Sequence, residues 1–231
     1  MTAALTSAVI KVGGRAQTDA RLASKVAAYW TQWLGASAQS GNALGVCCVV
    51  HGGGDEVTAL QRAAGIEPTF VDGRRVTRAD DIDRLRMALS GLSNKRLVAA
   101  LTRVGVHAIG LSGEDGPLLF ADVLSGGSLG AVGTVRTVDA ALLRVLVANG
   151  YLPVIAPVAA MRTSVTRERS LHGDLPTSTV DGLASALNIN GDDAAAAIAV
   201  ALGAGELLLV SDVAAVRIDG QPLAELSPLS Y

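Results

Sequence analysis

Lys11 sits inside an apolar run, A-V-I-K-V, and Gly13 and Gly14 follow at once. An ammonium in a buried strand is costly unless it meets an anion. Two glycines beside it leave main-chain amides open to that anion. An edge-strand lysine reaching solvent is the alternative. The same combination recurs at Leu44–Asp55, L-G-V-C-C-V-V-H-G-G-G-D, where an apolar run ends in His51 and three glycines, Gly52, Gly53 and Gly54, and helical spacing resumes from Glu56. Strand, glycines and helix in that order aim amide N–H groups and a helix N-terminus at a negative charge. A tight turn without ligand would explain one such stretch; a second one weighs toward anion binding. Arg74 and Arg75, in F-V-D-G-R-R-V-T, are planar forks suited to a carboxylate, with solvated surface as the alternative. Asp192 and Asp193 open an alanine-rich helix, where the dipole favours negative charge, and Asn188 and Asn190 add converging polar groups beside them.

The elements that position these groups follow from the periodicity. Short apolar runs at Ala8–Val12, Leu44–Val50, Val106–Leu111, Leu152–Val158 and Leu207–Val210 read as buried strands, the last ending in Ser211 and Asp212. Helical spacing covers Asp19–Leu34, Glu56–Ala64, Ser93–Val104, Val138–Asn149 and the stretch after Asp192. Thr77 with Asp80 three residues on has the form of a capping box, opening a helix to about Leu89. Leu118–Val123 with Gly130–Val138, and the Asp181-Gly182 dipeptide, read as hairpins. Strands alternating with helices define an α/β fold with a central, mainly parallel sheet.

The chain has 231 residues, 50% of them hydrophobic, and a net charge of −2 with scattered basic residues, which gives no nucleic-acid surface. Its longest apolar stretches fall short of the roughly 20 residues that span a bilayer, and no basic leader precedes the first strand, so the expectation is a soluble, cytoplasmic protein. Cys47 and Cys48 are expected as buried free thiols, and His51, His107 and His172 have no metal-ligand spacing.

Neither a P-loop nor a dinucleotide glycine motif occurs. H-G-G-G at His51 and G-G-S-L-G around Ser128, with Asp139 and His172 downstream, formally match an esterase triad of the α/β-hydrolase type. Ser128 is followed by a strand-like A-V-G-T-V, which is the wrong context for a nucleophile elbow.

Eight motifs in order, V-I-K-V-G-G, V-V-H-G-G-G, D-G-R-R-V-T, I-G-L-S-G-E-D-G, L-G-A-V-G-T-V, G-Y-L-P-V-I-A-P-V, L-N-I-N-G-D-D-A-A and L-L-L-V-S-D-V, resemble the acetylglutamate kinases of the amino-acid kinase family over nearly the whole chain. The resemblance implies a three-layer αβα sandwich, with an amino-acid and dimerisation lobe over 1–203 and the start of a nucleotide lobe at 204–231. It also implies transfer of the γ-phosphoryl group of ATP, with Mg²⁺, to the γ-carboxylate of N-acetyl-L-glutamate in arginine biosynthesis.

By motif, Lys11 would bridge the transferring group, with Gly13 and Gly14 donating amides. Gly53 and Gly54 would cradle the reacting groups, Arg75 would grip the α-carboxylate, and Asn188 and Asn190 would hold other polar groups. Asp192 would orient lysine, and Ser211 and Asp212 would begin the contacts to ATP. A homodimer without arginine feedback is expected, with an acidic carrier protein bearing glutamate or aminoadipate as the alternative substrate, to which Arg162, Arg167 and Arg169 could be suited. The family continues with a glycine-rich G-G-M-x-x-K segment. No lysine follows Lys95 here, so the chain reads as a fragment, or else as a weakened or purely binding relative. The arginine-rich stretch Met161–Thr179 exceeds the family's usual hairpin.

Overall fold

The structure, a computed structural model, describes residues 7–40, 45–116, 118–124, 127–161, 179–180, 183–212, 217–218 and 221–222. Its elements in chain order are β1 (Ala8–Val12), α1 (Leu22–Ser40), β2 (Cys47–His51), α2 (Gly54–Ala63), β3 (Phe70–Val71), β4 (Arg74–Arg75), α3 (Ile82–Arg86), α4 (Asn94–Arg103), β5 (Ala108–Ser112), β6 (Leu119–Val123), β7 (Gly133–Val138) and α5 (Ala141–Ala148). They continue with β8 (Leu152–Ala156), β9 (Val158–Met161), β10 (Thr179–Val180), β11 (Leu183–Ala184), β12 (Ala186–Asn188), α6 (Gly191–Leu202), β13 (Glu206–Val210), β14 (Arg217–Ile218) and β15 (Gln221–Pro222).

Five strands form a wholly parallel sheet in the order β13-β1-β2-β8-β5. Parallel strands covered on both faces need apolar side chains on both, and β2 (C-C-V-V-H) and β8 (L-P-V-I-A) are buried at every position. Helix α6 packs on β1, β2 and β13, α5 on β8, and α4 on β5 and β8 with α1 behind it. The expected helix–sheet–helix sandwich is the architecture found. Trp30 and Trp33, one turn apart on α1, stack at 5.5 Å between ring centroids and are buried, as core.

A second, mixed sheet of order β12-β9-β6-β7 stands beside the first, and β6 and β7 pair antiparallel as the hairpin pattern predicts. Strands β10 and β11 likewise pair antiparallel on either side of residues 181–182, which themselves lie outside the described residues. So do residues 162–178, with Arg162, Arg167, Arg169 and His172.

Two local expectations are corrected. Thr77 does not cap a helix: it bridges Gly130, and its hydroxyl donates to the Arg75 carbonyl while Asp80 pairs with Arg78. The separate helices expected before Leu89 and after Ser93 instead join through a π-helical stretch, Met87–Ser93, so that α3 runs into α4.

Candidate active site

Parallel strands gather their C-terminal ends along one edge of a sheet, and ligands of open α/β sheets bind in the crevice there. Here that edge carries Gly13-Gly14 after β1, Gly52-Gly53 after β2, Pro157 after β8 and Ser211-Asp212 after β13. The two glycine loops touch. A Cβ on Gly14 would lie 3.4 Å from the Gly53 nitrogen and 3.5 Å from that of Gly54, and one on Gly52 would be 3.1 Å from the Gly14 nitrogen. Main chain therefore meets main chain, and the amides share one bare surface. Gly13, expected to donate its amide to the transferring group, instead spends that N–H on the Val210 carbonyl at 2.8 Å, which brings Ser211 beside it.

Next to this surface is a cavity of about 180 Å³, lined by Gly52–Gly54, Arg74, Arg75, Asn188, Asn190 and Gly191 with an apolar remainder that includes Val57, Phe70, Leu85 and Leu89. Lys11, largely buried, passes its Cε within 3.7 Å of where a Gly191 Cβ would be, and its Nζ pairs with Asp192 Oδ1 at 2.9 Å. Asp192 can reach it because Asn190 ends the preceding strand in extended backbone and caps α6, its Oδ1 accepting from the Asp192 and Asp193 amides at 2.8 and 3.4 Å. The asparagine expected purely as a substrate contact thus spends its oxygen on the helix and keeps its Nδ2 for the cavity. Asn188 is the complement: its Nδ2 donates to Thr77 Oγ1 at 2.9 Å, which leaves its oxygen to accept.

Arg75 is 9% exposed and lines the cavity beside Gly54. Its guanidinium donates to Gln61 Oε1, to the Gly54 carbonyl at 2.8 Å and to Thr58 Oγ1 at 2.8 Å, and it stacks 4.7 Å above the Phe70 ring centroid. All of these partners are neutral, and no carboxylate lies within ion-pair distance of it among the described residues. Burial lowers its pKa, opposed by Asp55 and Asp81 at longer range. Such a group remains charged and has the chemistry to accept a carboxylate. Arg74, its neighbour, turns the other way to Asp193 at 2.8 Å.

Asp212 and Asp55 flank Arg15 at 3.6 and 3.8 Å at the outer end of the glycine loops. The esterase arrangement is not there: Ser128 sits in the β6–β7 hairpin rather than between strand and helix, and Asp139 accepts from the Ala141 amide at the start of α5. What the sequence did not signal is the support beneath the site. His51 is fully buried; its Nδ1 donates to the Gly52 carbonyl at 2.8 Å, and its Nε2 accepts from Asn94 Nδ2 at 3.1 Å. A histidine before a glycine run gives no cue that it will serve the backbone.

The model of the Amino acid kinase family matches residues 7–227. The chain belongs to that family. Among its relatives are the acetylglutamate kinases of Chloroflexus aurantiacus, 43% identical over 182 residues, and Rubrobacter xylanophilus, 39% identical over 180 residues; each match covers 78% of this chain. The chain spans a little under two thirds of these relatives' length, 64% and 62% respectively. Among solved structures, smu.665 from Streptococcus mutans UA159 superposes with a TM-score of 0.74 at 26% identity, covering 93% of this chain and 76% of that one.

Proposed function

We propose that this chain transfers the γ-phosphoryl group of ATP to the γ-carboxylate of N-acetyl-L-glutamate, giving an acyl phosphate for arginine synthesis. One observation carries the reading. A single cavity is lined by a buried arginine whose partners are neutral and by the Gly52–Gly54 turn, with Lys11 at its edge beside Gly191. Those are the two ends of a molecule with a carboxylate to be held and a carboxylate to react.

In this reading Arg75 takes the α-carboxylate with its charge and an N–H that Gln61, Gly54 and Thr58 leave unused. The amide between the acetyl and glutamyl parts has one donor and one acceptor. The free oxygen of Asn188 accepts its N–H, and the free Nδ2 of Asn190 donates to its carbonyl, the roles left to each by Thr77 and α6. The γ-carboxylate then lies over Gly53 and Gly54. It is ionised at neutral pH, so it needs no general base. A bond forms between its oxygen and the γ-phosphorus as the bond to the β,γ-bridging oxygen breaks and ADP leaves. Lys11, kept in place by Asp192, and the amides of Gly14, Gly53 and Gly54 neutralise the charge on the moving phosphoryl oxygens.

A Cβ on Gly14 would stand in contact with the Gly53 and Gly54 nitrogens, so its absence keeps those amides open and suits a phosphoryl group held by main chain. Bound with the nucleotide, Mg²⁺ would supply further charge neutralisation. Ser211 and Asp212 are the first contacts of the nucleotide lobe at 204–231, and residues 1–203 form the acceptor and dimer lobe. A homodimer is part of the reading, and β5 stands at the edge of the parallel sheet.

The test supplies ATP, Mg²⁺ and N-acetyl-L-glutamate and measures ADP together with acyl phosphate trapped as a hydroxamate. Hydroxamate forming in step with ADP is the expected result. Neither product appearing, while glutamate or aminoadipate on an acidic carrier is phosphorylated, would overturn the substrate assignment.

A further inference from the structure

The β3–β4 hairpin, from which Arg75 enters the cavity, has two residues per strand and only two register pairs, Phe70 with Arg75 and Val71 with Arg74. Its turn residues, Asp72 and Gly73, have φ of 47° and 73°, the pattern of a tight two-residue turn. Phe70 and Val71 are 53% and 47% exposed. A ribbon this short does not hold itself in place. On one side it is anchored to α2, through the bonds of Arg75 to Thr58, Gln61 and the Gly54 carbonyl. On the other side its anchor is Arg74, whose Nη1 donates to Asp193 Oδ2 at 2.8 Å on the first turn of α6. The two anchors lie on different helices, α2 and α6, and both arginines line the cavity. Asp192, the residue before, holds Lys11. Consecutive carboxylates of one helix thus hold cations from two different elements, the hairpin and β1.

We propose that Arg74 is a positioning residue for the acceptor: its ion pair with Asp193 clasps the β3–β4 hairpin onto α6 and so fixes Arg75 in the cavity. The kinetic part of this inference rests on the acceptor reading above; the structural part does not. Both groups are partly exposed, 32% for Arg74 and 45% for Asp193. The clasp is therefore strong enough to bias the hairpin and weak enough to open when the acceptor enters or leaves.

Three variants of the full chain test it: Arg74→Leu, Asp193→Asn, and the exchanged pair Arg74→Asp with Asp193→Arg. Hydrogen exchange of the amides of residues 70–75 is the first readout, because it requires no turnover. Each single variant should exchange about threefold to fivefold faster than the parent, the factor expected for losing one partly exposed ion pair, and the exchanged pair should recover. The second readout is kinetic. KM for N-acetyl-L-glutamate should rise by a similar factor while kcat and the KM for ATP stay put, and the exchanged pair should reverse it. Unchanged exchange in both single variants overturns the proposal, as does an exchanged pair that exchanges as fast as they do. Should the parent form no hydroxamate, the substrate assignment falls and the exchange result still decides the clasp.

Discussion

Lys11 and Arg75 are both cations withdrawn from water, and they are stabilised in opposite ways. Lys11 has a carboxylate at 2.9 Å, whereas Arg75 has an amide oxygen, a carbonyl and a hydroxyl. The first pairing immobilises a charge; the second leaves one available. Replacing Lys11 by Ala removes a preorganised donor from the phosphoryl path, and turnover should fall by about 100-fold or more while the thermal unfolding midpoint stays near that of the parent. An active Lys11→Ala protein would remove Lys11 from the chemistry. Arg75→Lys keeps the charge and loses the fork, so KM for the acceptor should rise by about tenfold or more, in line with charge-assisted hydrogen bonds of roughly 1.5–3 kcal/mol. Steady-state kinetics against acceptor concentration measures it. Residue types revealed these candidates, but not their division of labour. Arg74 and Arg75 are equivalent on paper, and only the strand's alternation decides that one pairs with Asp193 on α6 and the other with the neutral groups of α2.

Buried strands that break into glycines were readable as elements because β-branched runs and turn residues change composition abruptly, at Val12–Gly14 and at Val50–Gly54. Thr77 was misread, since local spacing favours a capping box and a tertiary contact takes the residue instead. Ala131 N–H donates to the Thr77 carbonyl at 2.6 Å, Thr77 N–H donates to Leu129 at 2.9 Å, and the Thr77 hydroxyl receives Asn188. Gly130 makes that docking possible. Its φ is +69°, and a Cβ on it would run into the Thr77 carbonyl oxygen. Gly150 has φ of +79° with nothing nearby, so it isolates the conformational cost alone. Gly130→Ala should therefore lower stability more than Gly150→Ala, by on the order of 2 kcal/mol against 1. Urea unfolding midpoints compare the two, and equal losses would mean that the Thr77 contact yields without cost. The π-helical stretch at Met87–Ser93 had no signature in the sequence, because its cause is tertiary: Leu89 and Ser93 press against the place where Gly53 lacks a side chain.

Across the whole molecule, parallel order was legible from the alternation of strands and helices, while the buried polar network that joins the layers was not. His51 takes its place in that network from β2. Asn94 at the start of α4 donates to its Nε2 and also to the Val154 carbonyl of β8 at 2.8 Å, and Gln17 after β1 donates to the Gly52 carbonyl at 2.7 Å. An imidazolium could not accept the Asn94 bond, and burial opposes the charge as well. The His51 pKa is accordingly pushed down to about 4, chiefly by desolvation, with the Gly52 bond opposing and Lys95 adding to the effect. An unfolded histidine titrates near 6.5. Between about pH 6.5 and 4 the unfolded chain therefore binds the proton that the folded chain refuses, so stability rises with pH through that window and is fully present above it. Acidification from pH 7 to 4 should cost about 3 kcal/mol from this one group. Replacing His51 by Asn should lower stability at pH 7, since the support of Gly52 is weakened, and should flatten this part of the pH dependence. Urea unfolding at pH 7, 5.5 and 4.5 on both proteins measures the difference in slope. Parallel slopes would mean that His51 keeps its ordinary pKa, and that the glycine loop of the site rests on some other contact.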